Sequence, residues 1–234
     1  MPNGPLSLPA RLYLLAWDST RSEATGAPQP HHLVRAGALL DLARRGLLTD
    51  DDGIATPVDL DARAGDAVLD GLLELVRESR PHGWRTWVTL RARVTLDAVR
   101  EQLTADGYLR AEKHRVLGVF PTVEYALDRE AVVEALREET RQVLRGPLPV
   151  AEVSERDAAV AVLVDAVEPG IPASDKDRAS GHGQRVDELA DRAAAAAPAL
   201  GKVVREVRAA LAAAVPSVPP PTASSSPGPS TRGW

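Results

Sequence analysis

The side chains of this 234-residue chain best suited to binding an anion are arginines, and many fall in one stretch. Residues 80–120 hold eight positive and four negative side chains, a net +4, although the whole chain carries −5 and the remainder therefore −9. Guanidinium is a planar fork that fits phosphate oxygens. The stretch predicts a local anion site in an acidic protein, while arginines that merely solvate a surface explain it equally well.

Two arginines lie where helices would position them for an anion. Arg35 falls in the first turn of a helix predicted over 33–47, off its apolar face, and free N–H groups and the helix dipole favour anions there. Arg100 lies four residues after Leu96, at the edge of the buried face of a later helix. If these helices pack together, both guanidinium groups converge on one exposed pocket.

The sequence lacks the residue patterns of common catalytic and metal-binding sites. The chain has no cysteine, and its five histidines include no pair at the i, i+4 spacing used for zinc. The run Asp50–Gly53 lacks the remaining ligands of a calcium loop, and no nucleophile elbow or phosphate-binding loop occurs. We expect no enzymatic activity, no metal and no cofactor.

Apolar periodicity predicts a mainly α protein: one compact multi-helix domain with short peripheral β-hairpins. A unit of helix, glycine and hairpin occurs twice, at 33–56 and 96–127. A short helix is expected at 10–17, and one capped by Asp66 carries Leu69, Leu72 and Val76. The C-terminal half predicts helices at 129–145, 154–167, 184–196 and 199–215, interrupted by a loop at 169–183. We assign 1–9 to a flexible lead-in, 10–215 to the helical domain and 216–234 to a disordered Pro/Ser-rich tail.

The second hairpin contains an unusual apolar segment. Glu112-Lys113-His114 is predicted as its polar turn, and Val116–Val123 is almost wholly apolar without strict alternation. A strand buried on both faces explains this segment, and so does a protruding loop that contacts a membrane or a partner. The contact residues would be Leu117, Val119 and Phe120.

Membrane spans are not expected from the sequence. The longest apolar run near the start is Leu12–Trp17, whereas a spanning helix needs roughly 20 residues. We expect a cytoplasmic protein whose membrane contact, if any, is peripheral.

Several motifs together resemble the Golgi phosphoprotein 3 family, with its bacterial members the most similar. They are Val34-Arg35-Ala36-Gly37 running to Gly46-Leu47-Leu48, then Gly65-Asp66-Ala67-Val68-Leu69-Asp70, then Val99-Arg100-Glu101-Gln102-Leu103 followed by Gly107 and Glu112-Lys113. The resemblance covers roughly residues 8–215.

The resemblance implies a helical domain that binds phosphatidylinositol 4-phosphate peripherally on membranes, together with cytosolic tails of glycosyltransferases. Arg35 matches the Arg of the family's Leu-Arg-Gly motif, and Arg100 the second Arg of its Arg-x-x-Arg motif. Asp97 stands where that motif has its first Arg, and the family's headgroup Trp falls near Gly26. About half of the family's headgroup site is therefore present, and the Val116–Val123 segment aligns with its apolar hairpin.

The resulting prediction is a non-enzymatic peripheral membrane adaptor that binds anionic phospholipid headgroups through Arg35 and Arg100. Its further partners would be cytosolic tails of membrane proteins and, through the 116–123 hairpin, a second copy. It would work in the cytoplasm, on the inner face of the cell membrane. The alternatives are a winged-helix-like DNA-binding protein, in which Arg44-Arg45 contact phosphates, and a helical protein-interaction module. The negative net charge does not favour nucleic acid.

Overall fold

The computed structural model describes residues 6–17, 29–116, 120–167, 181–195 and 198–214, with only the backbone described at 113–116, 120–122 and 198–199. The predicted lead-in, 169–183 loop and Pro/Ser tail therefore lie largely or wholly outside the described residues. In chain order the elements are α1 Leu8–Leu15, α2 Pro30–Arg44, β1 Leu48–Asp51, β2 Ile54–Pro57, α3 Ala67–Glu78, α4 Trp84–Thr89, α5 Ala92–Ala105, β3 Leu109–Val116, β4 Phe120–Leu127, α6 Glu130–Arg145, a short 3₁₀ turn Val150–Glu152, α7 Glu155–Val167, α8 His182–Ala193 and α9 Pro198–Ala214.

Helix α2 forms the centre of the fold. Every residue from Leu33 to Ala43 is buried, and the helix contacts α1, α3, α4, α5, α7 and α9. A helix buried on all sides needs apolar residues all round, which this segment supplies except at Arg35 and Asp41. Gly37 lets α1 approach closely, since a Cβ there would lie 2.4 Å from Cδ1 of Leu12.

The start of α2 differs from the prediction. The helix begins at Pro30, because proline fits the first helical position, where its missing N–H costs nothing. Arg35 therefore lies in the second turn rather than the first, so the argument from the helix dipole at its N-terminus loses force.

The two helix–glycine–hairpin units are confirmed. Gly46 and Gly107 follow α2 and α5 with φ of 70° and 71°, the left-handed conformation that ends many helices. Each is followed by an antiparallel two-stranded hairpin, β1–β2 and β3–β4.

The predicted turn of the second hairpin is wrong. Glu112, Lys113 and His114 lie inside β3, where they pair with Glu124, Val123 and Thr122. Both strands continue instead into the apolar segment, because its branched and aromatic residues favour extended backbone.

The described part of the apolar segment, Val116 and Phe120–Val123, belongs to the two strands of this hairpin, which pair with no other described strand. Val116 pairs with Phe120, of which only the backbone is described. Leu117 and Val119 lie outside the described residues. Val123, at the start of the described side chains of β4, is 45% exposed.

The remaining helices largely follow the sequence. The Asp66 carboxylate caps α3 by accepting from the N–H groups of Val68 and Leu69 at 3.0 and 3.1 Å. Helices α6 to α9 begin and end within three residues of their predicted bounds. Helix α4 was not predicted, and it buries Trp84 and Trp87.

The core has two parts. The larger packs α2 against α3, α4, α7, α8 and α9, and the smaller surrounds Tyr13 and Trp17 with side chains of α5, α6 and the base of the second hairpin. The fold is mainly α, as predicted. Among the described helices, none combines the length and apolar character needed to cross a bilayer.

Candidate functional site

Arg35 is completely buried, with 0% of its surface exposed. Its Nη2 atom donates a hydrogen bond to the main-chain carbonyl of Arg91 at 2.7 Å. Its Nε and Nη1 atoms have no hydrogen-bond partner in the part of the chain that the structure describes. Since Nε carries one N–H and Nη1 two, three donors of this guanidinium group lack an acceptor.

The charge of Arg35 also lacks a counter-charge. Burial alone lowers the pKa of Arg35, to about 10, and no described carboxylate forms an ion pair with it. The group is still a cation at neutral pH, because its pKa remains well above 7. A buried charge without a partner costs several kcal/mol, so folding alone does not explain this residue.

Arg11 shows how the same fold treats a structural arginine. Its side chain is also mostly buried, but Nη1 lies 2.6 Å from a carboxylate oxygen of Asp157, and Nη2 lies 3.6 Å from one of Glu139. These groups line a larger cavity of about 560 Å³, beside α6 and α7. There the cation is already neutralised, whereas Arg35 is not.

Arg35 lines a cavity of about 320 Å³ between α3 and α5. Gly71 lies in the lining on the α3 side, and a larger side chain has room to extend from it, because a Cβ there would meet nothing within 4 Å. Two carboxylates and one guanidinium group lie among the lining side chains, those of Glu74, Glu78 and Arg91. The other walls are mainly apolar and include Val68, Leu72, Leu75, Val94 and Ala98.

The backbone of Arg91 is held in an uncommon conformation at this cavity. Arg91 precedes α5 as its N-cap with φ of 50°, in the left-handed region that residues other than glycine seldom occupy. Such a residue costs of order 1–3 kcal/mol and persists where its surroundings hold it. The hydrogen bond from Arg35 to its carbonyl is one such constraint.

Arg100 lies in different surroundings. Its Nε donates to the Tyr13 hydroxyl at 3.3 Å and its Nη1 to the Asp97 carboxylate at 3.4 Å. The guanidinium carbon lies 5.2 Å from the ring centroid of Tyr125 and 5.7 Å from that of Tyr13, within cation–π range. Arg100 is thus held by α1 and the second hairpin.

The structure does not bring Arg35 and Arg100 into one exposed pocket. Arg35 is buried and lines the cavity together with Thr95 and Ala98 of α5, whereas Arg100 is not among the residues that line it. Arg100 follows Thr95 by five positions, which places their side chains about 140° apart around a helix with 3.6 residues per turn. Arg100 therefore faces away from α3.

Sequence reasoning missed Gly71 and gave Arg91 no separate role. A signal for Gly71 was present, because a glycine inside an otherwise regular amphipathic helix costs stability and suggests a local reason. Arg91 was counted only within the basic stretch, and its part in the cavity depends on tertiary packing.

No group of three or more histidine and acidic side chains able to hold a metal ion occurs in the described ranges.

The family model for Golgi phosphoprotein 3 (GPP34) matches residues 8–207, which contain Arg35, Arg91, Arg100 and the whole cavity lining. The chain belongs to the Golgi phosphoprotein 3 family. The resemblance read from the sequence is thereby confirmed. No curated protein matches the chain. This member of the Golgi phosphoprotein 3 family buries Arg35 completely.

Proposed function

We propose that this family member is a non-enzymatic peripheral membrane adaptor that binds an anionic phospholipid headgroup at the cavity of Arg35. The observation that carries the proposal is the buried Arg35 cation, which has three unpaired N–H donors and forms no ion pair with a described carboxylate. An anion that reaches this group would supply both missing partners, and its entry requires a shift of the surrounding side chains, because Nε and Nη1 are closed to solvent in this structure. Arg100, held by two tyrosines and Asp97, is proposed to support packing of the second hairpin.

The first turn of α5 gives the cavity a rim suited to a membrane surface. Arg91 and Arg93 are exposed, and neither forms an ion pair with a described residue. Val94, which lines the cavity together with Arg91, is 61% exposed. Each cation near an anionic leaflet contributes about 1 kcal/mol, and an exposed apolar residue beside them is favourable at an interface.

The tip of the second hairpin is proposed as an additional contact. Leu117, Val119 and Phe120 would enter the membrane interface or meet a second copy of the chain. Since one anion site binds weakly by itself, a second contact on the same molecule would raise the overall affinity. Cytosolic tails of membrane proteins remain the proposed protein partners, and the inner face of the cell membrane the proposed location.

Vesicle co-sedimentation tests the proposal. The wild-type chain, Arg35→Met and Arg100→Ala are mixed with vesicles of neutral phosphatidylcholine that contain a rising fraction of anionic lipid. We expect the bound fraction of wild type to rise with anionic lipid, Arg35→Met to lose most binding, and Arg100→Ala to keep it. Binding that ignores anionic lipid and is equal in wild type and Arg35→Met would refute the proposal.

The DNA-binding alternative is favoured only by the two helix–glycine–hairpin units. The tip of the first hairpin carries Asp51 and Asp52, both exposed, where a wing would approach phosphates. Like charges at that place oppose binding. A gel shift on random duplex at low salt tests it, and we expect no shift.

A further inference from the structure

The charge and the walls of the Arg35 cavity indicate which anionic lipid fits it. We infer that the cavity binds a phospholipid with a single negative charge, a phosphodiester such as phosphatidylglycerol, rather than a headgroup with an added monoester phosphate. This inference rests on the proposed function, since it concerns the ligand of the same cavity. It assigns the class of lipid from this chain's own cavity residues.

The lining charges limit how much negative charge the cavity accepts. Arg35 and Arg91 are opposed by Glu74 and Glu78, and Arg80 of an adjoining cavity raises the sum of the charged lining side chains to +1. Glu78 is also the last residue of α3, where the helix dipole is negative. One phosphodiester charge would neutralise this net charge. A monoester phosphate carries roughly 1.5 to 2 charges at neutral pH and would add repulsion from both carboxylates.

The apolar walls favour an anionic group joined directly to an apolar body. Leu72 and Leu75 on α3 face Val94 on α5 across the cavity. The glycerol and the first carbons of an acyl chain would fill the same space favourably.

A second cavity, lined mainly by polar residues, adjoins the first. It measures about 350 Å³ and shares Leu75, Glu78 and Arg91 with the Arg35 cavity. Its other lining residues are mostly polar and comprise Ser79, Arg80, His82 and Leu90. An apolar and a polar compartment therefore meet at Arg91, next to the carbonyl that holds Arg35.

This arrangement matches the order of parts in a phosphodiester lipid. The phosphate would lie at the junction, between Arg35 and Arg91. The small alcohol of the headgroup would enter the polar compartment near Arg80 and His82, and the glycerol and acyl carbons would occupy the apolar one. Arg80 is exposed and forms no ion pair within the described parts of the chain, so it remains available to the headgroup.

The test compares two vesicle compositions of equal nominal charge in phosphatidylcholine: phosphatidylglycerol at one molar fraction, and phosphatidylinositol 4-phosphate at a correspondingly lower one. The variants are Arg35→Met, Gly71→Leu, which fills the cavity, and Gly183→Leu, a matched change at an exposed helical glycine with open space around it. We expect at least tenfold tighter binding to phosphatidylglycerol, a loss of at least tenfold in the first two variants, and no change in Gly183→Leu.

The failure of this inference can be told apart from failure of the proposed function. Tighter, Arg35-dependent binding to phosphatidylinositol 4-phosphate would overturn the inference and leave the proposed function standing. Binding that follows total charge alone and ignores Gly71→Leu would overturn the inference as well. Binding to neither composition would overturn both.

A second measurement needs no variant, in case Gly71→Leu does not fold. Dihexanoyl phosphatidylglycerol, below its micelle-forming concentration, is added to the wild-type chain, and water-soluble glycerophosphoglycerol is added to a parallel sample. A ligand of the folded state raises the melting temperature by mass action. We expect the short-chain lipid to raise it by several degrees and the acyl-free headgroup to leave it unchanged. Equal shifts with both, or no shift with the lipid, would contradict the inference.

Discussion

Nη2 of Arg35 donates to the main-chain carbonyl of Arg91 at 2.7 Å, and this bond joins the centre of α2 to the residue that begins α5. It fixes the guanidinium group in place while three of its N–H donors stay without acceptors. An anion that reaches this cation does not have to displace an internal ion pair.

We expect Arg35→Met to keep or raise the melting temperature. The change removes a buried, unpaired charge at a cost of one hydrogen bond, and an apolar side chain of similar length is well tolerated in such a place. Thermal denaturation by circular dichroism measures the effect.

The matched control is Arg11→Met, which leaves Asp157 without its 2.6 Å partner. We expect it to lower the free energy of unfolding by about 1–3 kcal/mol. If Arg35→Met proved more destabilising than Arg11→Met, Arg35 would have a structural role and the account given above would be wrong.

Two glycines inside helices should respond oppositely to alanine. Gly71→Ala is expected to add about 0.5–1 kcal/mol to the free energy of unfolding, since a Cβ there meets open space and alanine favours helix. Gly37→Ala should instead lose about 1–3 kcal/mol, because its Cβ would lie 2.4 Å from buried Leu12. Urea denaturation measures both. Equal effects of the two changes would show that α1 and α2 are not packed as closely as described.

The pair His31 and His32 should make stability depend on pH between about 4 and 6.5. Burial and then the neighbouring His31 lower the pKa of His32 to about 4. As the pH falls below 6.5, the unfolded chain takes up a proton before the folded chain does, so stability is full above this range and is lost within it.

Melting temperatures of wild type and His32→Gln across this pH range test the prediction. We expect the variant to lose less stability than wild type between pH 6.5 and 4. The pKa values of the Asp50 and Asp157 carboxyls are lowered by their hydrogen bonds despite burial, so their contribution is lost only at more acidic pH. Parallel curves for the two proteins would contradict the assignment to His32.

Asp50 should anchor the first hairpin to two helices. Its side chain, 8% exposed, accepts from the Trp84 indole N–H at 2.8 Å and from Nζ of Lys202 at 2.5 Å. Asp50→Asn replaces one accepting carboxylate oxygen by an NH₂ group, which faces the donors of Trp84 and Lys202. We expect the free energy of unfolding to fall by about 1–3 kcal/mol. Asp52→Asn is the control, because Asp52 is exposed and asparagine tolerates its φ of 47°. A comparable loss in both variants would speak against the anchor.

The strongly periodic helices and both hairpins could be predicted from the sequence, because their patterns are local. Helix α4 could not, since six residues are too few to show a helical period. The turn of the second hairpin was misplaced because a polar triplet was taken for it, although β3 continues through this triplet to Val116 and pairs there with Phe120.

The candidate site was harder to predict from the sequence than the helices, because it depends on tertiary packing. Arg35 was expected at the surface, as most arginines are. The sequence does hold a sign of its burial, because it is surrounded by apolar residues on every side of α2. Asp41, the other polar residue there, accepts from the N–H of Leu8 at 3.0 Å and from Arg45 at 3.1 Å, and so is satisfied. The positions of Arg35 and Arg100 relative to the two faces of α5 depend on how the helices pack, and no local sequence pattern encodes this packing.

The most direct test of the central claim is the affinity of the full chain for anionic vesicles, measured together with the melting temperature, in wild type, Arg35→Met and Arg35→Lys. We predict that Arg35→Met loses at least tenfold in affinity without losing stability, and that Arg35→Lys recovers part of the affinity by restoring the charge without the fork. Unchanged vesicle affinity in a fully folded Arg35→Met protein would contradict the claim that the buried guanidinium binds the membrane anion.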